Sequence, residues 1–266
     1  MSERDSYEPG VPSWVDHASA DPERAAAFYG ALFGWDQEER MPPEAGGSYV
    51  MCSVGGRDVA AIGSQMEEGR PPAWSTYVTV ADADAAAARA GAAGGTVLAA
   101  PFDVFDAGRM AVVQDPGGAV LSLWEPRGHP GAGRVNEPGA FCWNELTTRD
   151  VDGSLRFYGE LFGWRGVELE VGGGRYVNWH LAGEEEPDPV AAVAGMMPMD
   201  GEQWPPELPA HWMVYFAVED ADAAAARAVE LGGAVAVDPF DTPVGRIAVL
   251  NDPLGAAFSV IALPTS

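Results

Sequence analysis

The sequence predicts an α+β protein built from four βαβββ modules, two in each half of a duplicated chain. Three observations lead there. The octapeptide Phe28-Tyr29-Gly30-Ala31-Leu32-Phe33-Gly34-Trp35 comes back as Phe157–Trp164 with one substitution, Glu160 standing where the first copy has Ala31. The stretch Ala81–Ala90, with its two aspartates, its alanine run and Arg89, comes back as Glu219–Ala228. Around these landmarks the apolar pattern switches between helical and strand periods, so each half holds two units of strand, helix and about three strands.

Residues 1–10 read as a loose leader. Ser13–Ala18 alternates as a strand. Asp21-Pro22 then offers an N-cap and a proline in the first turn of a helix reaching about Phe33, and Gly34 ends it. Phe28, Leu32 and Trp35 fall one helical turn apart, with Tyr29 and Phe33 widening the stripe. A face that broad is buried, so the octapeptide is scaffold. Tyr49–Val54 and Val59–Ile62 are strands joined at Gly55-Gly56. Ser64–Pro72 connects to the second module. There Trp74–Val80 is a strand, Asp82 caps an alanine-rich helix stopped by Gly91–Gly95, and Thr96–Ala99, Arg109–Gln114 and Ala119–Trp124 are strands. Asp115-Pro116-Gly117-Gly118 turns the last two.

The second half repeats the scheme, with Asp150 and Asp220 as helix caps and a strand near Ala191–Val193. Gly172–Gly174 reads as a turn and Glu184–Pro189 as an acidic hairpin tip. Met196–Pro209 is a connector whose Met196, Met197, Met199 and Trp204 either cover a pocket mouth or form a plain loop. The modules fall at about 11–63, 73–126, 140–195 and 210–263. Domain one is 1–128, the linker is 129–137 within the glycine- and proline-rich Pro126–Pro138, and domain two is 138–266.

Composition narrows the function. A net charge of −25, with every basic group an arginine, disfavours nucleic acid and anionic membranes as partners. Two cysteines, Cys52 and Cys142, do not make a disulfide framework and read as small buried apolar residues. The polar N-terminus and the lack of a long apolar run point to a soluble, cytoplasmic protein.

The four modules resemble the vicinal oxygen chelate superfamily of glyoxalases, bleomycin-resistance proteins and extradiol dioxygenases. The likeness rests on Asp-x-x-x-Ala-x-x-Phe-Tyr in the odd modules (Asp21–Tyr29 in the first, Asp150–Tyr158 with Ser154 for the alanine in the third) and Asp-Pro-x-Gly before the last strands. Trp14-Val15-Asp16 and Phe141-Cys142-Trp143-Asn144-Glu145-Leu146 are similar to the tandem two-domain actinobacterial members, often labelled glyoxalase-like or hydroxylase and sometimes found beside antibiotic pathways. The resemblance implies two glyoxalase-like domains whose mixed or antiparallel sheets curl into cups, with the helices outside. It also implies a divalent metal on each floor. The first-strand donors would fall at Trp14, Ser75, Trp143 and Met213, seven residues before each capping aspartate, and last-strand donors at Ser122 and Ser259. No carboxylate stands near Ala60–Ile62 or Ala191–Val193. These residue types do not hold zinc, nickel or iron, so no metal and no cofactor is expected.

Alternation then assigns faces. Asp16 lies with Trp14, Glu145 with Trp143, Tyr77 with Ser75, Tyr215 with Met213 and Trp124 with Ser122. The expected ligand-binding set is Trp14, Trp143, Ser75, Met213, Ser122, Trp124, Ser259 and His211, with the large rings partly open to solvent. Asp16, Glu145, Tyr77 and Tyr215 are the candidate catalytic groups. Each carboxylate is either a structural hydrogen-bond partner or a general base and polar anchor. His17 points away from Trp14 toward the helix, His129 is in the linker, and His180 shares a face with Asn178.

The expected function is metal-free binding of a small apolar, aromatic metabolite or antibiotic-like compound, for sequestration or for presentation to a partner enzyme. The alternatives are a lyase, isomerase, hydrolase or oxygenase working through Asp16 or Glu145 with the tyrosines, or a glyoxalase or dioxygenase with a non-standard metal. A monomer and a homodimer fit equally.

Overall fold

A computed structural model describes residues 3–65, 69–171, 174–183, 191–202 and 204–264. The Glu184–Pro189 tip and most of the Gly172–Gly174 turn lie outside the described residues. The first module is β1 (Pro12–Ser19), α1 (Pro22–Phe33), β2 (Asp36–Glu39), β3 (Tyr49–Val54) and β4 (Arg57–Ser64). The second is β5 (Ala73–Thr79), α2 (Ala83–Ala92), β6 (Thr96–Val104), β7 (Gly108–Gln114) and β8 (Val120–Pro126). The third is β9 (Phe141–Thr148), α3 (Val151–Phe162), β10 (Arg165–Val171), β11 (Gly174–His180) and β12 (Ala194–Pro198). The fourth is β13 (His211–Val218), α4 (Ala221–Glu230), β14 (Ala234–Thr242), β15 (Gly245–Asn251) and β16 (Ala257–Ala262).

Each half forms one 8-stranded sheet, in the orders β2-β3-β4-β1-β5-β8-β7-β6 and β10-β11-β12-β9-β13-β16-β15-β14. The modules therefore pair within a half, through antiparallel β1–β5 and β9–β13. All four helices begin at an aspartate whose carboxylate accepts from the backbone N–H three residues on: Asp21 from Arg24 (3.1 Å), Asp82 from Ala85 (2.8 Å), Asp150 from Gly153 (2.9 Å) and Asp220 from Ala223 (3.0 Å). Such a cap contributes about 1 kcal/mol. Among the described residues no helix is long and apolar enough to cross a membrane.

The helices lie outside the cups, as expected, on the sheet faces that meet the other half. Val15, Phe28 and Tyr29 share a core with Val214, Phe216, Phe258 and Val260 of the other half, so the first module backs onto the fourth. Val78, Leu121 and Leu123 share another with Leu146, Phe157, Tyr158 and Trp179, so the second backs onto the third. The reason is in the octapeptide: its stripe of rings is wider than one sheet can cover, and the remainder is buried by the opposite half.

The octapeptide also pins the halves together by hydrogen bonds. Trp35 Nε1 donates to Gly139 O (2.6 Å), and Trp164 Nε1 to Gly10 O (2.8 Å). Both accepting glycines have positive φ, 85° and 91°, and a Cβ on Gly10 would come within 2.9 Å of Leu181 Cδ2. Tyr29 donates to Asp252 Oδ2 (3.2 Å) and Tyr158 to Asp115 Oδ2 (3.0 Å), the aspartates of the Asp-Pro-x-Gly turns opposite.

Two expectations are corrected. The last strand of the third module is Ala194–Pro198, beyond Ala191–Val193, and takes Met196 out of the connector into the core; Met199 is buried as well. The leader is not loose. Gly10 N donates to Thr79 O, and Tyr7 OH donates to Ala132 O (2.7 Å). The linker is likewise bound down, with Ala132 N donating to Ser13 O and Gly133 N to Asp58 O.

Candidate functional site

The sheet face turned away from the helices is the cup, and both cups carry the same circuit. In the first, β1 places Trp14 and Asp16 on that face and β5 sets Tyr77 opposite Trp14. Asp16 Oδ2 accepts from Tyr77 OH (2.7 Å) and from Tyr49 OH on β3 (3.3 Å), while Trp14 Nε1 donates to the Tyr49 oxygen (3.1 Å). In the second, Glu145 Oε1 accepts from Tyr215 OH (2.8 Å) and Oε2 from Tyr176 OH on β11 (2.7 Å). Trp143 Nε1 donates to the Tyr176 oxygen (3.0 Å).

Burial pushes the Asp16 carboxyl up; hydrogen bonds from Tyr77, Tyr49 and Ser75 and the nearby His17 oppose it without cancelling it. Burial likewise raises Glu145 against the pull of Tyr176 and Tyr215. All four tyrosines are held well above their ordinary range, first by burial and then by the carboxylate beside them. They stay protonated and act as hydrogen-bond donors to the carboxylates.

Coverage separates the cups. The linker crosses the first, setting the His129 ring edge-on to Trp14 with centroids 4.4 Å apart, and Trp124 Nε1 donates to His129 O (2.9 Å). Burial lowers the His129 imidazole to about 4, so it enters as a neutral ring. Trp14, Trp124 and Tyr77 are consequently 2%, 5% and 8% exposed, against the expectation of partly open rings. In the second cup Trp143, Met213, Cys142 and Tyr176 are half-buried, and among the described residues no ring packs on Trp143. Tyr215 is buried beneath them, which corrects its expected exposure too.

The remaining expected residues divide as follows. Ser75 stands opposite Asp16, and Ser122 pairs with Tyr77 in the first cup. Met213 stands opposite Glu145, and Ser259 pairs with Tyr215 in the second. His211 is on the cup strand but at its far end, opposite Thr147, with Nδ1 2.9 Å from Pro209 O. His17 lies on the helix side, Nε2 2.9 Å from Asp252 Oδ2. The Cys142 and Cys52 thiols are both pushed up to about 12, mainly by burial, so neither is a ready nucleophile. Sequence reasoning missed Tyr49 and Tyr176, although Tyr-Val recurs in the equivalent strand of both halves. It also missed His129 as a cover.

The profile of the glyoxalase/bleomycin resistance protein/dioxygenase superfamily matches residues 13–123 and again 140–260. The chain is 43% identical over 267 residues to CFP32 of Mycobacterium tuberculosis, provisionally named a glyoxylase, covering 98% of both chains. It is 37% identical over 271 residues to the anthracycline biosynthesis protein DnrV of Streptomyces peucetius, over 97% of this chain and 94% of that one. A Mn(II)-bound glyoxalase from Novosphingobium aromaticivorans shares the fold with a TM-score of 0.62 at 14% identity, over 99% of this chain and 84% of its own.

Members of the superfamily are metal-dependent enzymes or small-molecule binding proteins. The donor set here does not fit a divalent ion. Among the described residues no three His, Cys, Asp or Glu side chains converge. Each cup offers one carboxylate, already engaged by phenol hydroxyls, where a transition metal requires three or four donors. With one profile matching both halves and relatives aligned from end to end, the chain belongs to the glyoxalase/bleomycin resistance protein/dioxygenase superfamily.

Proposed function

We propose that the second cup binds a small, apolar, aromatic molecule without a metal ion. The observation that carries this reading is the half-open Trp143, hydrogen-bonded through Tyr176 to a buried carboxylate, with Met213 and Cys142 as soft neighbours. A flat ring can stack on the indole while the carboxylate and phenols orient its polar substituent. The kinship with an anthracycline biosynthesis protein supports a natural product of aromatic character, held for sequestration or for hand-over to a partner enzyme. The equivalent circuit of Trp14, Asp16 and Tyr77 serves as structure, because the protein's own His129 occupies the stacking position.

Calorimetric titration with 2-naphthol tests this. One site per chain is expected, with Trp143→Ala weakening it at least tenfold and Trp14→Ala leaving it intact. The opposite pattern would place the site in the first cup.

The raised Glu145 carboxyl favours a second reading, an enzyme in which it takes a proton from bound substrate. The tyrosine hydroxyls, held protonated, would orient rather than transfer. Release of a changed product from a bound ligand, lost in Glu145→Gln, distinguishes catalysis from binding.

A further inference from the structure

Resting on the second cup as the binding site, we infer that its ligand carries a cationic hydrogen-bond donor, an amine attached to the aromatic body, and that anionic ligands are refused. The inventory of polar atoms leads there. Trp143 Nε1 is spent on the Tyr176 oxygen, Tyr176 OH on Glu145 Oε2, and Tyr215 OH on Glu145 Oε1. Every hydrogen these side chains can donate is therefore committed inward. What they leave is acceptor capacity: lone pairs on the two phenol oxygens and the remaining ones on the carboxylate.

Charge points the same way. Glu145 is 7% exposed, and among the described residues no arginine or histidine pairs with it; the only groups opposing its desolvation are the two phenols. A buried carboxylate without a counter-charge is a costly arrangement that a bound cation relieves, through a charge-assisted hydrogen bond. Trp143 offers the same cation the face of an indole. An anionic ligand would meet a buried carboxylate without a counter-charge and a chain of net charge −25. The arrangement recurs at Asp16, where two phenols and Ser75 also point their hydrogens at the carboxylate. There the apolar partner is the neutral His129 ring, so the first cup has no opening for a cation beside Trp14.

Three probes of one shape test the inference on the intact chain: naphthalen-2-ylmethanamine, naphthalen-2-ylmethanol and 2-naphthoate. The amine should bind at least tenfold tighter than the alcohol, and the carboxylate should not bind. Glu145→Gln should bring the amine down to the alcohol's affinity. Equal binding of amine and alcohol, both lost in Trp143→Ala, overturns the cationic ligand while keeping the cup as a site; so does tight binding of the naphthoate. If none of the three binds the wild-type chain at millimolar concentration, the cup itself is not a site and both readings fall. The wild-type series decides the matter even if a variant does not fold.

Discussion

The two cups are the same device with one carbon moved. In the first, Asp16 pairs across the ladder with Ala61; in the second, Glu145 pairs with Gly195. A methylene absent from the neighbouring strand is present on the carboxylate, and total volume is kept, the kind of exchange a packed interior tolerates best. Gly195 has no room for more, since a Cβ there would run into the Tyr176 hydroxyl and approach Trp143 Nε1 to 2.7 Å. What differs in kind is the cover. The linker exists only between the halves, so it lies over one cup, where His129 sets its ring against Trp14.

The seams between halves show the same near-symmetry with one exception. Asp115 and Asp252 each close their own turn and accept from a tyrosine opposite. At Asp252 a buried histidine joins in; the repeat partner of His17 is Leu146. Burial raises both carboxyls, and at Asp115 it wins. At Asp252 the His17 contact and the N–H groups of Ala256 and Leu254 outweigh it and hold the group below its ordinary value.

The largest effect should come from breaking that exception. Asp252→Ala takes the acceptor from His17, from the Tyr29 hydroxyl and from two backbone N–H groups, and should cost about 3–5 kcal/mol in urea unfolding. Asp115→Ala orphans fewer groups and should cost about 1–3 kcal/mol. Equal losses would show that His17 adds nothing.

The volume exchange is open to a double-mutant cycle. Gly195→Ala overpacks the second cup and Glu145→Asp leaves a gap, each costing about 1–3 kcal/mol. Together they rebuild the first cup's pairing, so the double variant should recover about 1–2 kcal/mol relative to the sum. Additive losses would mean the two positions do not share space.

His129→Ala removes the cover. A stability loss of about 0.5–1.5 kcal/mol is expected from the ring contact alone. Calorimetric stoichiometry for 2-naphthol should rise from one site to two. An unchanged single site would show that the first cup is closed by more than its histidine.

The smallest expected effect is a difference in slope. The folded-state pKa of Glu145 lies above its unfolded value, so the native chain holds that proton to higher pH than the unfolded chain does. Wild-type stability then declines as pH climbs from the ordinary carboxylate range through the raised folded value, while a glutamine does not titrate. The stability of Glu145→Gln relative to wild type should therefore increase as pH rises out of the ordinary carboxylate range in matched urea titrations. A constant difference would mean that Glu145 is solvated.

Much of this was legible in the sequence for a local reason. Capping by Asp21, Asp82, Asp150 and Asp220 acts over three residues, and strand alternation over two, so the four modules and the shared face of Trp14 with Asp16 and of Trp143 with Glu145 follow from neighbours in the chain. The octapeptide repeat declares a buried aromatic face by its own spacing. What buries that face is another matter. Tyr29 meets Asp252 and Tyr158 meets Asp115 across more of the chain than any periodicity spans. Tyr49 and Tyr176 reach the carboxylates from strands two positions away in the sheet, a placement set by strand order. Pro126–Pro138 has no period at all, and its glycines and prolines are compatible with many paths. Only the packed fold determines that its path runs over Trp14 and leaves Trp143 open, because cover depends on which surfaces come into contact, and sequence spacing records only the order in which they were made.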